Sequence, residues 1–176
     1  MGGETQLVER VLRGEEGAFE ELVMMYQAPI YYLTLRFVRD EQAAADLAQT
    51  TFFRAFQGLW GFRQGASFKT WLYRIAINLC KNYLRDHGKE KFKDWSDIDP
   101  PSSANPLQKL IENEEQKLLL RAWGRLPERQ RLTLTLRVQE GMKYREIAEV
   151  LGCSVGTVKA NFHHALIKLK EIFQEG

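Results

Sequence analysis

The sequence predicts an all-α protein made of two small helical domains joined by a flexible linker. Three observations predict it. Apolar residues recur at helical spacing through most of the chain, while strand-like alternation is weak. A polar, proline-bearing stretch from His87 to about Asn105 interrupts that periodicity. Beyond it, two capped helical patterns meet at a glycine, the spacing of a helix-turn-helix. A length of 176 residues suits one domain or two small ones.

Each element has a local cause. Ala18 to about Val38 is amphipathic, with Pro29 expected to interrupt it. Asp40 is suited to cap a helix reaching about Leu59, after which Gly58, Gly61 and Gly65 break the chain. Ser67 caps the next predicted helix, which runs to about Asp86. The linker carries Gly88, mixed charge, Asp99-Pro100-Pro101-Ser102-Ser103 and Pro106; it is too polar to bury much core, and the proline pair stiffens it. Helices are predicted again over Leu107–Arg125, Glu128–Gln139, Tyr144–Leu151 and Ser154–Phe173. The expected limits are a first domain over 1–87, a linker over 88–111 and a second domain over 112–176.

The net charge is only +2, from 25 Lys and Arg against 23 Asp and Glu. Distribution matters more than the total. From Leu47 to Arg85 there is no acidic residue, yet Arg54, Arg63, Lys69, Arg74, Lys81 and Arg85 fall there, among nine aromatic residues. From Val150 to Lys170 acid is again absent, while Lys159, His163, His164, Lys168 and Lys170 are present. Cationic surface with interleaved aromatics suits a polyanion with stackable bases. Two such segments far apart in sequence imply two separate contacts with nucleic acid.

Cys80 and Cys153 sit in helical, half-apolar contexts without metal-ligand spacing, so reduced thiols and no metal or cofactor are expected. The adjacent His163 and His164 point about 100° apart on a helix and do not readily share an ion. The N-terminus is polar, and no apolar run reaches membrane length, so a cytoplasmic protein is expected.

In the C-terminal part, Ile147, Ala148 and Leu151 give one apolar face, Gly152 sits where that helix must end, and Ser154 caps the next. There Val155, Val158, Phe162, Leu166 and Leu169 define an expected buried stripe. The other side carries Thr157, Asn161, His164 and Lys168; Lys159, Ala160 and His163 of the same helix are further candidates for DNA contact. That acid-free face suits a major groove.

In the N-terminal part, Phe68, Leu72, Ile75 and Leu79 are the expected core stripe of Ser67–Arg85. Thr70, Arg74, Asn78, Lys81 and Arg85 recur on a second, polar stripe, with Lys69 and Trp71 nearby; Asn78 has the donor–acceptor pair that reads a base edge. The preceding loop, with Phe62 and Arg63 between Gly61 and Gly65, has the makings of a pocket for an unstacked base.

Four segments in order carry a resemblance. They are Ala44-Ala45-Asp46-Leu47-Ala48-Gln49-Thr50-Thr51-Phe52, Phe68-Lys69-Thr70-Trp71-Leu72-Tyr73-Arg74-Ile75-Ala76-Ile77-Asn78, Leu126-Pro127-Glu128-Arg129-Gln130-Arg131, and the helix-turn-helix. Together they resemble bacterial sigma factors of the extracytoplasmic-function (ECF) group of the sigma-70 family, over about 18–87 and 112–172. The resemblance implies a dissociable subunit of core RNA polymerase: a region 2 bundle and a region 4 helix-turn-helix, without region 3. It implies that Asp46, Leu47, Gln49, Phe52 and Phe53 meet the clamp helices of the largest polymerase subunit, with a further contact to the flap of the second subunit. It implies that Phe62, Arg63, Lys69, Thr70, Trp71, Arg74, Asn78, Lys81 and Arg85 read and melt the −10 promoter element. Thr157, Lys159, Ala160, Asn161, His163, His164 and Lys168 would read the −35 element. An anti-sigma factor is an implied partner, and a stress or envelope response an implied setting. The chain departs from the family pattern at Thr50, where Glu is usual, at Asn161 and His164, where Arg is common, and at Lys143, where Ser or Thr usually caps the helix.

Two other DNA-related classes compete. A free-standing regulator with the same helix-turn-helix leaves the acid-free aromatic helix and the clamp motif unexplained; a polymerase-binding adaptor that does not read DNA draws only on the reduced basicity of the recognition helix. An enzyme acting on a small-molecule substrate is disfavoured: there is no phosphate-binding glycine loop and no nucleophile–base pattern.

Overall fold

A computed structural model of the chain describes residues 3–62, 67–87 and 122–174. The expected linker over 88–111, most of the expected Leu107–Arg125 helix, and Arg63 with the rest of its loop lie outside the described residues. Those described are helical, without a strand, and belong to two compact units.

The first unit holds α1 (Gly3–Leu12), α2 (Ala18–Val38), α3 (Glu41–Gly58), a short 3₁₀ turn (Leu59–Gly61) and α4 (Phe68–Asp86). α2 packs against α1, α3 and α4, and α3 packs against α4. Leu22, Ile30 and Leu33 of α2, Ala44 and Ala55 of α3, Leu59, and Leu72, Tyr73, Ala76 and Ile77 of α4 are all buried. Each large apolar side chain removed from water in this way contributes about 1.5–3 kcal/mol.

Local signals behave as the sequence implies at the caps. Asp40 Oδ1 accepts the N–H of Ala43 at 2.7 Å, and Ser67 Oγ accepts that of Thr70 at 3.1 Å. Three expectations need correction. α1 was not foreseen; it is held by Leu7, Val8 and Val11, all buried. Pro29 does not interrupt α2, which continues through it. The helix gives up the one hydrogen bond that proline cannot donate, and packing on three helices outweighs that loss. The buried face of α4 is also wider than the predicted stripe. It takes in Tyr73, Ala76, Ile77 and Cys80 and leaves Ile75 partly exposed, because α4 is covered from three directions.

The second unit holds a helical turn at 122–124, α5 (Glu128–Val138), α6 (Tyr144–Leu151) and α7 (Val155–Gln174). Ala122, Leu126, Leu134, Ala165, Leu169 and Ile172 form its core, with Trp123 and Phe162 packed against it. Buried Arg131 ties the start of α5 to the turn before it, donating to the carbonyls of Gly124 (3.2 Å) and Leu126 (3.0 Å). Here too the predicted stripe is corrected: Leu166 is exposed and Ala165 is buried. The line 158, 162, 165, 169, 172 follows the 3.6-residue turn, and Leu166 lies about 80° from its centre.

Candidate nucleic-acid and polymerase interfaces

α4 is the more informative surface. Arg74, Asn78, Lys81 and Arg85 are exposed at spacings that align them along one side, as the sequence predicts. Arg85 also pairs with Asp86, Nε to Oδ1 at 3.1 Å. Thr70 differs from the expectation: it is buried, and its hydroxyl lies 2.8 Å from that of Ser67, so it completes the cap instead of facing outward. Lys69 is half-buried, with Nζ 5.6 Å from the Tyr73 ring centre.

At the start of α4 three aromatic rings gather. Trp71 lies 5.0 Å from Phe62 and 5.9 Å from Phe68, and Phe62 lies 6.4 Å from Phe68, edge to face. Phe68 is core, while Phe62 and Trp71 are each partly open to solvent. The cluster is therefore a wall with an accessible rim, the form that base stacking needs.

On α3, Asp46, Gln49 and Phe53 are exposed, and Phe53 retains 60% of its surface. Leu47 and Phe52 are mostly buried in the helical core, each keeping 9% of its surface. They set which side of α3 faces outward. The exposed side continues to Phe56 and Trp60, whose rings meet edge to face at 5.3 Å, with Phe19 of α2 5.0 Å from Phe56. Spacings of 3, 4, 3 and 4 from Asp46 through Gln49, Phe53 and Phe56 to Trp60 carry this signal in the sequence, and Phe56 and Trp60 lie beyond the residues the resemblance implies.

In the second unit, Gly152 takes a φ of +66°, and the N–H of Cys153 closes the end of α6 onto the carbonyl of Ala148 at 3.0 Å. Ser154 Oγ accepts the N–H of Thr157 at 3.0 Å and starts α7. Lys143 has no capping side chain, yet its N–H donates to Glu146 at 2.6 Å, so half of a capping box survives. Arg137 binds the carbonyl of Met142 at 2.9 Å and lies over the Tyr144 ring, which in turn meets Phe162 of α7. α7 is thus fixed against α5 and α6. Lys159, Ala160, His163, His164 and Lys168 are exposed on it; Thr157 and Asn161 are partly covered.

The model of Sigma-70 region 2 matches residues 22–90, and that of Sigma-70, region 4 matches residues 116–169. The RNA polymerase sigma-H factor of Pseudomonas aeruginosa is 41% identical over 175 residues, covering 91% of this chain and 88% of that one. The ECF RNA polymerase sigma-E factor of Escherichia coli is 36% identical over 171 residues, covering 90% and 88%. The chain belongs to the ECF sigma factors of the sigma-70 family. Such a factor is a dissociable subunit that directs RNA polymerase to specific promoters and promotes DNA melting at initiation.

Two solved structures share the sigma factor's fold. CnrH in complex with the cytosolic domain of CnrY has a TM-score of 0.70 at 24% identity, over 99% of each chain. The sigma factor RpoE in complex with the anti-sigma factor NepR, from Bartonella quintana, has 0.69 at 23%, over 90% of this chain and 98% of that one. Region 2 of the sigma factor spans α2 to α4, and region 4 spans α5, α6 and most of α7. α1 precedes the region 2 match. No helix among the described residues is long and apolar enough to cross a membrane.

Proposed function

We propose a division of labour on this sigma factor. Region 2, within a domain over 1–87, uses the outward side of α4 and the Phe62–Trp71 rim to hold the −10 element as it opens. Arg74, Lys81 and Arg85 meet phosphates, Asn78 meets a base edge, and Phe62 and Trp71 stack on a displaced base. Lys69 and Arg63 add charge at the rim, and Thr70 acts through the cap. Region 4, within a domain over 112–176, lays α7 in the major groove of the −35 element through Thr157, Lys159, Ala160, Asn161, His163, His164 and Lys168. Asp46, Gln49 and Phe53 dock on the polymerase clamp helices, supported from beneath by Leu47 and Phe52. Residues 88–111 connect the two.

The observation that carries this reading is the coincidence on α4 of an aligned, acid-free polar face with a partly open aromatic rim. Extracting a base from the stack costs a few kcal/mol. Stacking returns about 1–3 kcal/mol per base, and cationic contacts add to it. Nothing is hydrolysed: binding energy shared with the polymerase drives melting, so the factor itself is not an enzyme and acts in the cytoplasm. Control by an anti-sigma factor is part of the proposal. It is supported by CnrH and RpoE, both solved with a bound partner.

The test mixes the purified protein with sigma-free core polymerase and resolves the mixture by size exclusion, followed by permanganate footprinting on a promoter selected in vitro. Co-elution with promoter-specific opening is expected. Clean binding to duplex DNA by the protein alone, with no polymerase complex, overturns the assignment.

A further inference from the structure

α1 lies ahead of the region 2 match, yet it reaches the helix that carries the proposed melting surface. Glu4, in its first turn, brings one carboxylate to two other helices. Oε1 accepts a hydrogen bond from the backbone N–H of Lys69 at 3.2 Å, and Oε2 accepts one from the Tyr26 hydroxyl at 2.5 Å.

The first turn of any helix has backbone donors with no carbonyl partner. In α4, Ser67 satisfies the N–H of Thr70 from within the chain's own turn. The N–H of Lys69 is met from a residue 65 positions away. A carboxylate there also suits the positive end of the helix dipole. Tyr26, itself buried, packs its ring 5.9 Å from that of Phe68, and Phe68 touches both Phe62 and Trp71. Direct contacts therefore run from Glu4 through Tyr26 and Phe68 to the aromatic rim.

We propose that Glu4 is a positioning residue for promoter melting. It fixes the first turn of α4, and with it the rim of Phe62 and Trp71, in the arrangement that receives a displaced base. This deepens the melting role proposed for α4 and rests on it. Preorganisation matters here because a rim that must be ordered at the moment of capture costs binding energy otherwise available for unstacking.

The experiment uses full-length protein in holoenzyme, on one promoter presented both as duplex and with a mismatched bubble over the −10 element. Glu4→Ala is expected to lower open-complex formation on duplex roughly tenfold, the scale of one lost hydrogen bond of this kind. Core polymerase binding is expected to stay unchanged, and the bubble template, which removes the unstacking cost, to restore function. Glu4→Gln is expected to recover most of the activity, since its amide oxygen accepts from Lys69 and its amide nitrogen donates to the Tyr26 oxygen. Amide exchange at Lys69 should speed up in Glu4→Ala and return in Glu4→Gln. A Glu4→Ala protein that opens duplex normally, or one that loses duplex and bubble alike, overturns the proposal. Phe62→Ala run alongside separates the two failures. If Phe62→Ala is defective and Glu4→Ala normal, this inference alone falls; if Phe62→Ala opens duplex normally, the melting surface falls and the inference with it.

Discussion

The indole of Trp71 lies across Gly58: a β-carbon at position 58 would stand 3.1 Å from Trp71 Cζ2. The φ of Gly58 is −87°, open to any residue, so glycine serves here for clearance and not for backbone freedom. A branched side chain must push the indole aside. Gly58→Leu is therefore expected to destabilise the protein by about 1–3 kcal/mol, the cost of overpacking. Gly58→Ala should stay within about 1 kcal/mol of wild type, since its gain in helix propensity opposes the strain. Urea unfolding of both variants checks this, and a fully stable Gly58→Leu protein would show that Trp71 yields freely.

Asn78 stands one helical turn beyond Arg74 on the same exposed side of α4, away from the core. Asn78→Ala is expected to impair open-complex formation by about 1–3 kcal/mol, the worth of a good base contact, while leaving polymerase binding intact. Trp71→Ala should do the same, with Trp71→Phe intermediate because a ring remains. Permanganate reactivity of the −10 thymines, read beside a polymerase-binding titration, separates the two effects. Equal loss of polymerase binding would remove these residues from the melting surface.

The elements most legible in the sequence are those set by neighbours in the chain. Asp40, Ser67 and Ser154 each cap a helix within three residues, and Gly152 ends one by its own conformation, so a local pattern suffices. α1 escaped because Leu7, Val8 and Val11 form a short apolar set whose meaning depends on α2 and α4 lying beside it. Leu166 and Ala165 were exchanged because a large apolar residue outweighs alanine in a pattern, whereas phase along the helix decides burial. At the candidate interfaces, the charged and amide residues of α4 and α7 were readable from spacing. Leu47, Phe52 and Thr70 were not separable from their exposed neighbours, since a motif names positions without saying which way they point. The bond from Glu4 to Lys69 joins segments that no periodicity connects.

Lys159 projects from the first turns of α7, just after the Ser154 cap, where a helix entering a groove passes a phosphate. Lys159→Ala should weaken upstream-element binding on all sequences to a similar degree. It should also flatten the plot of log affinity against log salt by about 0.9, one phosphate contact's worth of released counterion. Fluorescence anisotropy with a −35 duplex across a salt series measures this. An unchanged slope argues against a phosphate contact at Lys159.

The two cysteines offer a separate readout of each unit. Burial of Cys80 at the centre of α4 pushes its thiol up to about 12, whereas Cys153 is partly exposed at the turn of the helix-turn-helix. Alkylation needs access to the sulfur, so the partly exposed Cys153 is expected to react under native conditions, and Cys80, buried and held as the thiol, only when the first unit opens. The raised value also fixes a sign. The folded state holds the Cys80 proton more tightly than the unfolded chain, so its contribution is fully present below about pH 9 and is lost as pH rises from there towards 12. Mass spectrometry after pulsed iodoacetamide labelling in increasing urea follows both sites. Labelling of Cys80 in step with Cys153 under native conditions would contradict the buried thiol and the tight packing of α4 on which the melting surface depends.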